Sequence, residues 1–426
     1  MRFIPSSGLL ASPRGRQLAA AGIGEQRPQS TPIPTACRVA IIGCGPAALS
    51  LVTNLYHRWG DLRDVVLLDR DGIPLGRFFT RVDALEQSIL RSPYEHHVGT
   101  HEHRDCELLD FARCRWVALT DIERGEVRMA MSGQRSVVPI DVFRAYVYHT
   151  VFNHDVAAHC WKSDVEQVEQ SGGRWVVHHT GGSLTAERVV FAIGERTIEV
   201  PRAWQASDRV VPWDRYRSGS AASTAVVSGS GLSAAHVVAD LCTRGGEVTW
   251  VQRRAERFQC ADVNARYFRP EGRGMFRSLP HDLRTRSLVR SRVPTIMFEF
   301  QPLLRGWQEN GCLSVYRHTS ISGVRELADG RLSVLLSNGT TRVVDQAVAA
   351  HGTTPTPLPV EGLSSYLPNM PLVDDDTLEP VGRPGLHVMG AHAAMSIGPA
   401  ARNIDGMRVA AQQIAAAFDR AEGRSL

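Results

Sequence analysis

Val39-Ala40-Ile41-Ile42-Gly43-Cys44-Gly45-Pro46-Ala47-Ala48 sets a short apolar run against a glycine-rich turn and the start of a helix. Such a run is the kind buried in a parallel sheet. Gly43 permits the tight turn, and Gly45 lets the backbone approach a pyrophosphate with no Cβ in the way. Pro46, Ala47 and Ala48 open the helix, whose N-terminal amides point at the phosphates. Ala48, Leu51, Val52 and Leu55 form its buried stripe. A second apolar run, Val65-Val66-Leu67-Leu68, ends in Asp69, where an acidic side chain is placed to take ribose hydroxyls. One such fingerprint is weak evidence, because glycine-rich turns are common.

A second fingerprint follows: Ala225-Val226-Val227-Ser228-Gly229-Ser230-Gly231-Leu232-Ser233-Ala234. Gly229, Ser230, Gly231 and Ser233 are its cofactor-binding residues, and Ala234, Val237, Val238 and Leu241 make its helix stripe. Glu247 to Val251 is its second strand. Where the first unit ends in Asp69, this one offers Gln252-Arg253-Arg254. No carboxylate remains to repel a 2′-phosphate, and two guanidiniums can pair with it. The first site thus suits an adenine dinucleotide with a free ribose, and the second suits NADPH. The competing reading of Arg253 and Arg254 is a solvated surface, since Lys162 is the only lysine and arginine is used almost everywhere else.

The 426 residues are ample for two domains with real cores. The net charge of +4 is mild, and no basic stretch is interleaved with aromatics, so nucleic acid is excluded as a partner. No apolar run is long enough to span a bilayer, so no membrane association is expected. The eight cysteines contain no C-x-x-C pair, which argues against a thioredoxin-type couple and a zinc knuckle. Free thiols fit a reducing cytoplasm. Residues 1–36 mix Arg, Pro, Ser, Gly and Ala without periodicity and read as a disordered extension or an over-called start, with a targeting peptide as the alternative.

The chain reads as α/β, with a Rossmann-like domain inserted into another and β-meander additions. A helix over Ile140 to Phe152 is followed by short strands that end in Val189-Val190-Phe191-Ala192-Ile193-Gly194. The pattern recurs at Leu332 to Leu336, an Asn338-Gly339 hairpin turn, and Ala347-Val348-Ala349-Ala350-His351-Gly352. Residues 37–199 and 346–426 are assigned to one domain and 200–345 to the insert. Gly194, and Gly390 after the strand Leu386-His387-Val388-Met389, end strands where the dinucleotide lies. Gly398 and Pro399 open a last helix with the stripe Ile404, Met407, Ala411, Ile414 and Phe418. Its positive dipole end suits a ligand, or it is simply a capped terminal helix.

These two fingerprints and the Gly398-Pro399 helix resemble the two-dinucleotide-domain flavoproteins, from Cys37 to Phe418. Within them the chain looks most like the NADPH-dependent flavin monooxygenases, including the ornithine and lysine N-hydroxylases. The resemblance implies FAD in the first domain and NADPH in the second. It also implies that reduced flavin takes up O2 as a C4a-hydroperoxide, which a substrate lone pair attacks. The cofactor then carries the hard step, and no protein nucleophile is needed. N-hydroxylation or S-oxygenation of a small-molecule metabolite is the expected reaction, and a homo-oligomer is the family habit. The stretch Leu85-Glu86-Gln87-Ser88-Ile89-Leu90-Arg91-Ser92 is similar in placement to the flavin-facing segment of the N-hydroxylases, which makes Arg91 the substrate or nicotinamide contact.

Two departures stand out. Asp208-Arg209-Val210-Val211-Pro212-Trp213-Asp214 lacks the histidine run of Baeyer–Villiger enzymes, and Ala391 stands where many relatives carry an acid for the ribityl chain. The alternatives are an NADPH:acceptor reductase of the quinone type and a non-catalytic flavin-binding redox sensor. His96-His97 with His101 and His103 has metal-like spacing, but flavin oxygenation needs no metal and none is expected. Asp374-Asp375-Asp376 reads as a solvated loop. The arginine-rich stretch from Asn264 to Arg292 reads as a cover over phosphates, an anionic-substrate pocket or a solvated face.

Overall fold

The computed structural model describes residues 29–99, 107–204, 207–219, 222–291, 293–364, 370 and 372–423. Most of the amino-terminal extension, and His101 and His103, lie outside the described residues.

The first fingerprint forms a strand–helix–strand unit of β1 (Ala36–Ile42), α1 (Pro46–Trp59) and β2 (Val65–Asp69). Pro46 sits in the first turn of α1, where its missing N–H costs nothing. Gly60, at φ +88°, ends the helix in the left-handed conformation. Next come α2 (Gly76–Ala84), the short β3 (Ile89–Leu90), α3 (Glu107–Cys114), α4 (Asp121–Met131), β4 (Val138–Pro139) and α5 (Ile140–Asn153). Strands β5 (Cys160–Lys162), β6 (Val165–Ser171), β7 (Arg174–His179) and β8 (Gly182–Phe191) complete the first half. The sheet runs β5-β2-β1-β8-β7-β6.

Strand β8 changes partner along its length. Gly182 to Ala186 lies antiparallel to β7, whereas Val189 to Phe191 lies parallel to a strand from the far end of the chain, Leu386–Val388. Everything between those strands is an excursion from the first sheet. It begins with β9 (Glu195–Thr197) and β10 (Val210–Pro212) and continues through the second unit, β11 (Thr224–Ser228), α6 (Leu232–Thr243) and β12 (Glu247–Gln252). Helices α7 (Pro270–Arg277), α8 (His281–Ser291) and α9 (Phe300–Glu309) lead to β13 (Leu313–Arg317). Strands β14 (Ile321–Glu326), β15 (Leu332–Leu336) and β16 (Thr341–Val344) form an antiparallel three-stranded meander, its second hairpin turning at Asn338-Gly339. Then come β17 (Gln346–Ala349) and β18 (Thr353–Pro355). The chain returns as β19 (Leu386–Val388), the short α10 (Ala394–Ile397) and the long α11 (Ile404–Ala421).

The second sheet is parallel throughout, in the order β10-β17-β11-β12-β13. This corrects one boundary. The sequence reading returns the chain to the first domain at 346, yet Gln346 to Ala349 lies between β10 and β11 in the second sheet. A buried apolar run states that it is sheltered on both faces, not which of two sheets shelters it. The two crossings of the chain, β9 and β18, pair as an antiparallel ribbon with Glu195 opposite Pro355. Among the described residues no helix is long and apolar enough to cross a membrane.

Candidate functional site

At the first turn, Gly43 adopts φ +94°, and a Cβ on it would stand 2.7 Å from the carbonyl oxygen of Ala192, at the end of β8. Only glycine permits both the angle and the approach. Gly45 has the opposite surroundings: a Cβ there would meet nothing within 4 Å. Asp69 secures the loop. Its Oδ2 accepts the N–H of Cys44 at 2.9 Å, and its Oδ1 accepts the N–H groups of Asp71 at 2.9 Å and Gly72 at 3.2 Å.

This turn opens on a cavity of about 520 Å3, within the usual range for small-molecule sites. Gly43, Gly45, Pro46, Ala47, Asp69, Gly194, Ser233 and Gly390 line it together, although they come from both sheets' units and the carboxy-terminal segment. Ala48 is buried behind the wall at 0 % exposure. Gly194, at φ +67°, and Gly390, at φ +62°, resemble Gly45 in that a Cβ on either meets nothing within 4 Å. Three glycines therefore leave room on the cavity side that a side chain would take. Thr356 also lines the cavity, and its buried Oγ1 has no hydrogen-bond partner. A bare glycine cradle at a helix N-terminus, with an unsatisfied hydroxyl nearby, fits a flavin dinucleotide. Ala391 lines the wall as well, so no carboxylate reaches the ligand from that position.

The crossing ribbon supplies the polar part of the wall. Arg402 Nε donates to Glu195 Oε2 at 2.9 Å, and its Nη2 donates to Thr353 Oγ1 at 3.0 Å. Thr353 Oγ1 in turn donates to Glu195 Oε2 at 2.8 Å. Arg81 donates to the carbonyl of Glu195 at 3.3 Å and lies over the Trp213 ring. Burial lowers the Arg81 pKa from the usual arginine value, and the nearby charge of Arg77 adds to it. Arg81, Arg402, Thr353 and Thr356 were not singled out from the sequence. Their signal is slight, since each is one polar residue, in α2, β18 or the turns that follow, with no motif around it.

At the second turn the backbone geometry repeats. Gly229 adopts φ +138°, and a Cβ on it would stand 2.1 Å from the carbonyl oxygen of Ala350, at the end of β17. Gly231 caps α6 in extended backbone. Arg253 and Arg254 follow β12 and are exposed, and neither has a hydrogen bond or ion pair among the described residues. Ser228 Oγ and His351 Nε2 lie 3.0 Å apart. Burial, together with the charge of Arg253, keeps the His351 ring neutral by lowering its pKa. Gly229, Ser230, Gly231, Arg253 and Arg254 do not line the cavity, although Leu232, Ser233 and His236 of the adjoining helix do.

Arg91 also lies away from the cavity. Its guanidinium donates to Thr295 Oγ1 at 2.7 Å and to the carbonyls of Gln259 at 3.0 Å, Thr295 at 3.4 Å and Cys260 at 3.5 Å. Burial lowers its pKa from the usual value. Its donors are spent on the segment after β12, so it braces that segment against β3. Gly398 and Pro399 are likewise off the wall. A Cβ on Gly398 would meet the Phe276 ring at 3.2 Å, and Pro399 opens a separate 3-10 turn. The helix end that faces the cavity is that of α11, through Ile404 and Met407.

The remaining clusters have structural partners. Arg277 and Arg284, in the arginine-rich stretch, donate to the carbonyls of Ser396 and Met395. His97 is fully buried between Arg408 and the Gly99 N–H. Among the described residues no group of three His, Cys, Asp or Glu side chains could hold a metal. Cys44, beside Cys160 and fully buried, has its pKa raised well above the usual thiol value, so it offers the cavity no thiolate.

Residues 40–196 match the model of an FAD-NAD(P)-binding family, and residues 144–304 match that of L-lysine 6-monooxygenase/L-ornithine 5-monooxygenase. Among solved structures, the ornithine N-hydroxylase of Kutzneria sp. 744 superposes with a TM-score of 0.73 at 17 % identity, covering 91 % of this chain and 100 % of its own. The cadaverine monooxygenase of Erwinia amylovora gives 0.71 at 18 %, covering 92 % and 97 %. The L-lysine 6-monooxygenase of Pseudomonas syringae gives 0.65 at 22 %, covering 90 % and 99 %. At these identities the likeness establishes the fold, α/β with parallel Rossmann-like sheets. No curated protein sequence matches the chain. With the family matches, the chain is an FAD- and NADP-binding oxidoreductase whose residues 144–304 match the lysine/ornithine monooxygenase model.

Proposed function

We propose that this FAD- and NADPH-dependent monooxygenase N-hydroxylates a small primary amine of the size of ornithine, lysine or cadaverine. The observation that carries the reading is the cavity itself. It starts at the phosphate turn of the first fold and is closed by α6 of the second, so two dinucleotides on the two turns would meet at one wall. The balanced reaction consumes the amine, O2, NADPH and a proton, and yields the hydroxylamine, NADP+ and water. When bound, FAD supplies the two-electron relay and the activation of O2.

The chain's own part is to bind, orient and exclude water. Gly43, Gly45, Pro46, Ala47 and Ala48 form the FAD phosphate turn, with Asp69 holding its amides and Gly194 and Gly390 leaving space along the wall. Gly229, Ser230, Gly231 and Ser233 form the NADPH turn, and Arg253 with Arg254 takes the 2′-phosphate. Trp213, Leu232, Ile404 and Met407 give the cavity an apolar part of its wall. Arg77, Arg81 and Arg402 line the same cavity.

The test is to supply purified protein with FAD, NADPH and O2 and to offer small amines one at a time. The expected result is hydroxylamine formed in step with NADPH consumed for at least one amine. NADPH oxidation that yields only H2O2 with every amine, or that passes only to a quinone, would overturn the reading.

A further inference from the structure

His236 sits in the second turn of α6, the helix that follows the NADPH-type fingerprint, yet it lines the cavity of the other fold. Three observations set it apart. The residue is 6 % exposed, and its Nε2 has no hydrogen-bond partner. Its ring meets Phe300 of α9 edge-on, with centroids 4.8 Å apart, so that contact is apolar. Burial drives its pKa down to about 4, so the ring is neutral across the physiological range.

A neutral imidazole has one N–H donor and one bare nitrogen acceptor. Burying a polar nitrogen with nothing to bond is unfavourable, and an apolar side chain of the same shape would avoid the penalty. The residue types around the cavity sharpen the point. Leu85 and Gln87 line it beside α6, and Gln87 is already committed to the carbonyl of Ile89 at 2.8 Å. Ser233, one turn before His236, lines it too. Two charged wall residues, Arg81 and Arg402, are donors engaged with Glu195. The protein thus leaves His236 Nε2 with no partner of its own, and a partner for that nitrogen can come with the ligand.

We propose that His236 is a positioning residue for the flavin ring, hydrogen-bonding its polar edge from the NADPH-binding half of the molecule. The inference rests on FAD occupying the cavity. Its consequence is that α6 has two duties: its N-terminus receives the nicotinamide nucleotide, and its second turn grips the flavin. The helix therefore fixes the two cofactors relative to one another, which a hydride transfer requires.

The experiment uses the full chain freed of FAD and then titrated with FAD, with the flavin visible spectrum read at saturation. His236→Phe keeps the ring's bulk and removes its hydrogen bonding, whereas His236→Asn restores a donor and an acceptor. The expected result is FAD affinity about tenfold weaker in His236→Phe, with a shifted flavin band, and a return towards wild type in His236→Asn. Wild-type affinity and spectrum in His236→Phe would overturn the proposal, as would equal impairment of both variants. A measurement on unaltered protein covers the case in which a variant does not fold. With 15N-labelled histidine, FAD binding must move the ring resonances of His236, and unmoved resonances would overturn the proposal. Wild-type protein that takes up no FAD would instead remove the flavoenzyme reading itself.

Discussion

Gly229 runs so close to Ala350 that a methyl group on it would stand 2.1 Å from the Ala350 carbonyl oxygen. The same relation holds between Gly43 and Ala192, at 2.7 Å. In each fold the glycine turn is pressed against the end of the neighbouring parallel strand, so its shape is set by the sheet before any ligand arrives. Gly45 stands in open space and has no such constraint.

That contrast separates two alanine substitutions. Gly229→Ala has to displace backbone at a positive φ and should destabilise the protein by about 2–4 kcal/mol, with thermal unfolding well below wild type. Gly45→Ala should leave the melting temperature of the FAD-free protein close to wild type while weakening FAD binding at least about tenfold, as read by fluorescence titration. Equal melting temperatures for the two variants would contradict the geometry.

Arg253 and Arg254 are exposed and uncommitted among the described residues, and so are free for a phosphate. Replacing both with alanine should raise the KM for NADPH about ten- to a hundredfold and leave that for NADH nearly unchanged, since the solvent-exposed pair together contributes about 1.5–3 kcal/mol. The effect should shrink in high salt. A KM for NADPH that does not move would refute the assignment.

Arg91 is expected to act through the segment it braces. Arg91→Ala removes donors from the carbonyls of Gln259, Cys260 and Thr295 and should cost about 1–3 kcal/mol of stability in a denaturant melt. Arg91→Lys should recover little, because one ammonium cannot span those acceptors as a planar fork does. Stability equal to wild type, with loss of turnover alone, would return Arg91 to the role of direct substrate contact.

Asp240 carries a pH signature. Burial opposes its charge, but hydrogen bonds from Tyr216, Ser218 and Arg244 prevail and lower its pKa below the ordinary 3.8. A depressed carboxyl stabilises the fold above its unfolded pKa, and that stability is lost as pH falls through the folded value. Asp240→Asn should therefore melt lower than wild type at pH 7, with a constant gap down to about pH 4 that closes below it. A gap that widens in acid would show the sign to be wrong.

Much of this architecture was legible in the chain. The runs Val39–Ile42, Val65–Asp69, Ala225–Ser228 and Glu247–Gln252 became parallel strands because each is a short apolar stretch broken by a turn residue. The Asn338-Gly339 hairpin was equally plain. Long-range choices were not. Strand β17 joins the second sheet for reasons that lie in its neighbours, and Arg91 finds partners about 170 to 200 positions away, which no local pattern encodes. The sequence also marked only one stripe of α6 as buried. In the structure Ala235, His236, Asp240 and Cys242 are buried too, because the helix lies between the second sheet and the cavity. A helix sheltered nearly all round shows no single polar face from which His236 could be distinguished.

The parting of β8 between β7 and β19 also sets an order of assembly. The first half of β8 can zip onto β7 as soon as the hairpin leaves the ribosome, whereas its second half, held by β1 on one edge, waits on the other for a strand encoded almost two hundred positions later. Gly390, Ala391, Ile404 and Met407, which line the cavity, arrive later still. A growing chain therefore has no finished cavity until Met407 has emerged, and the slow, long-range closure of that last strand precedes the completion of its wall. A chain lacking α11 would keep every strand of its second sheet and lose Ile404 and Met407 from the cavity wall.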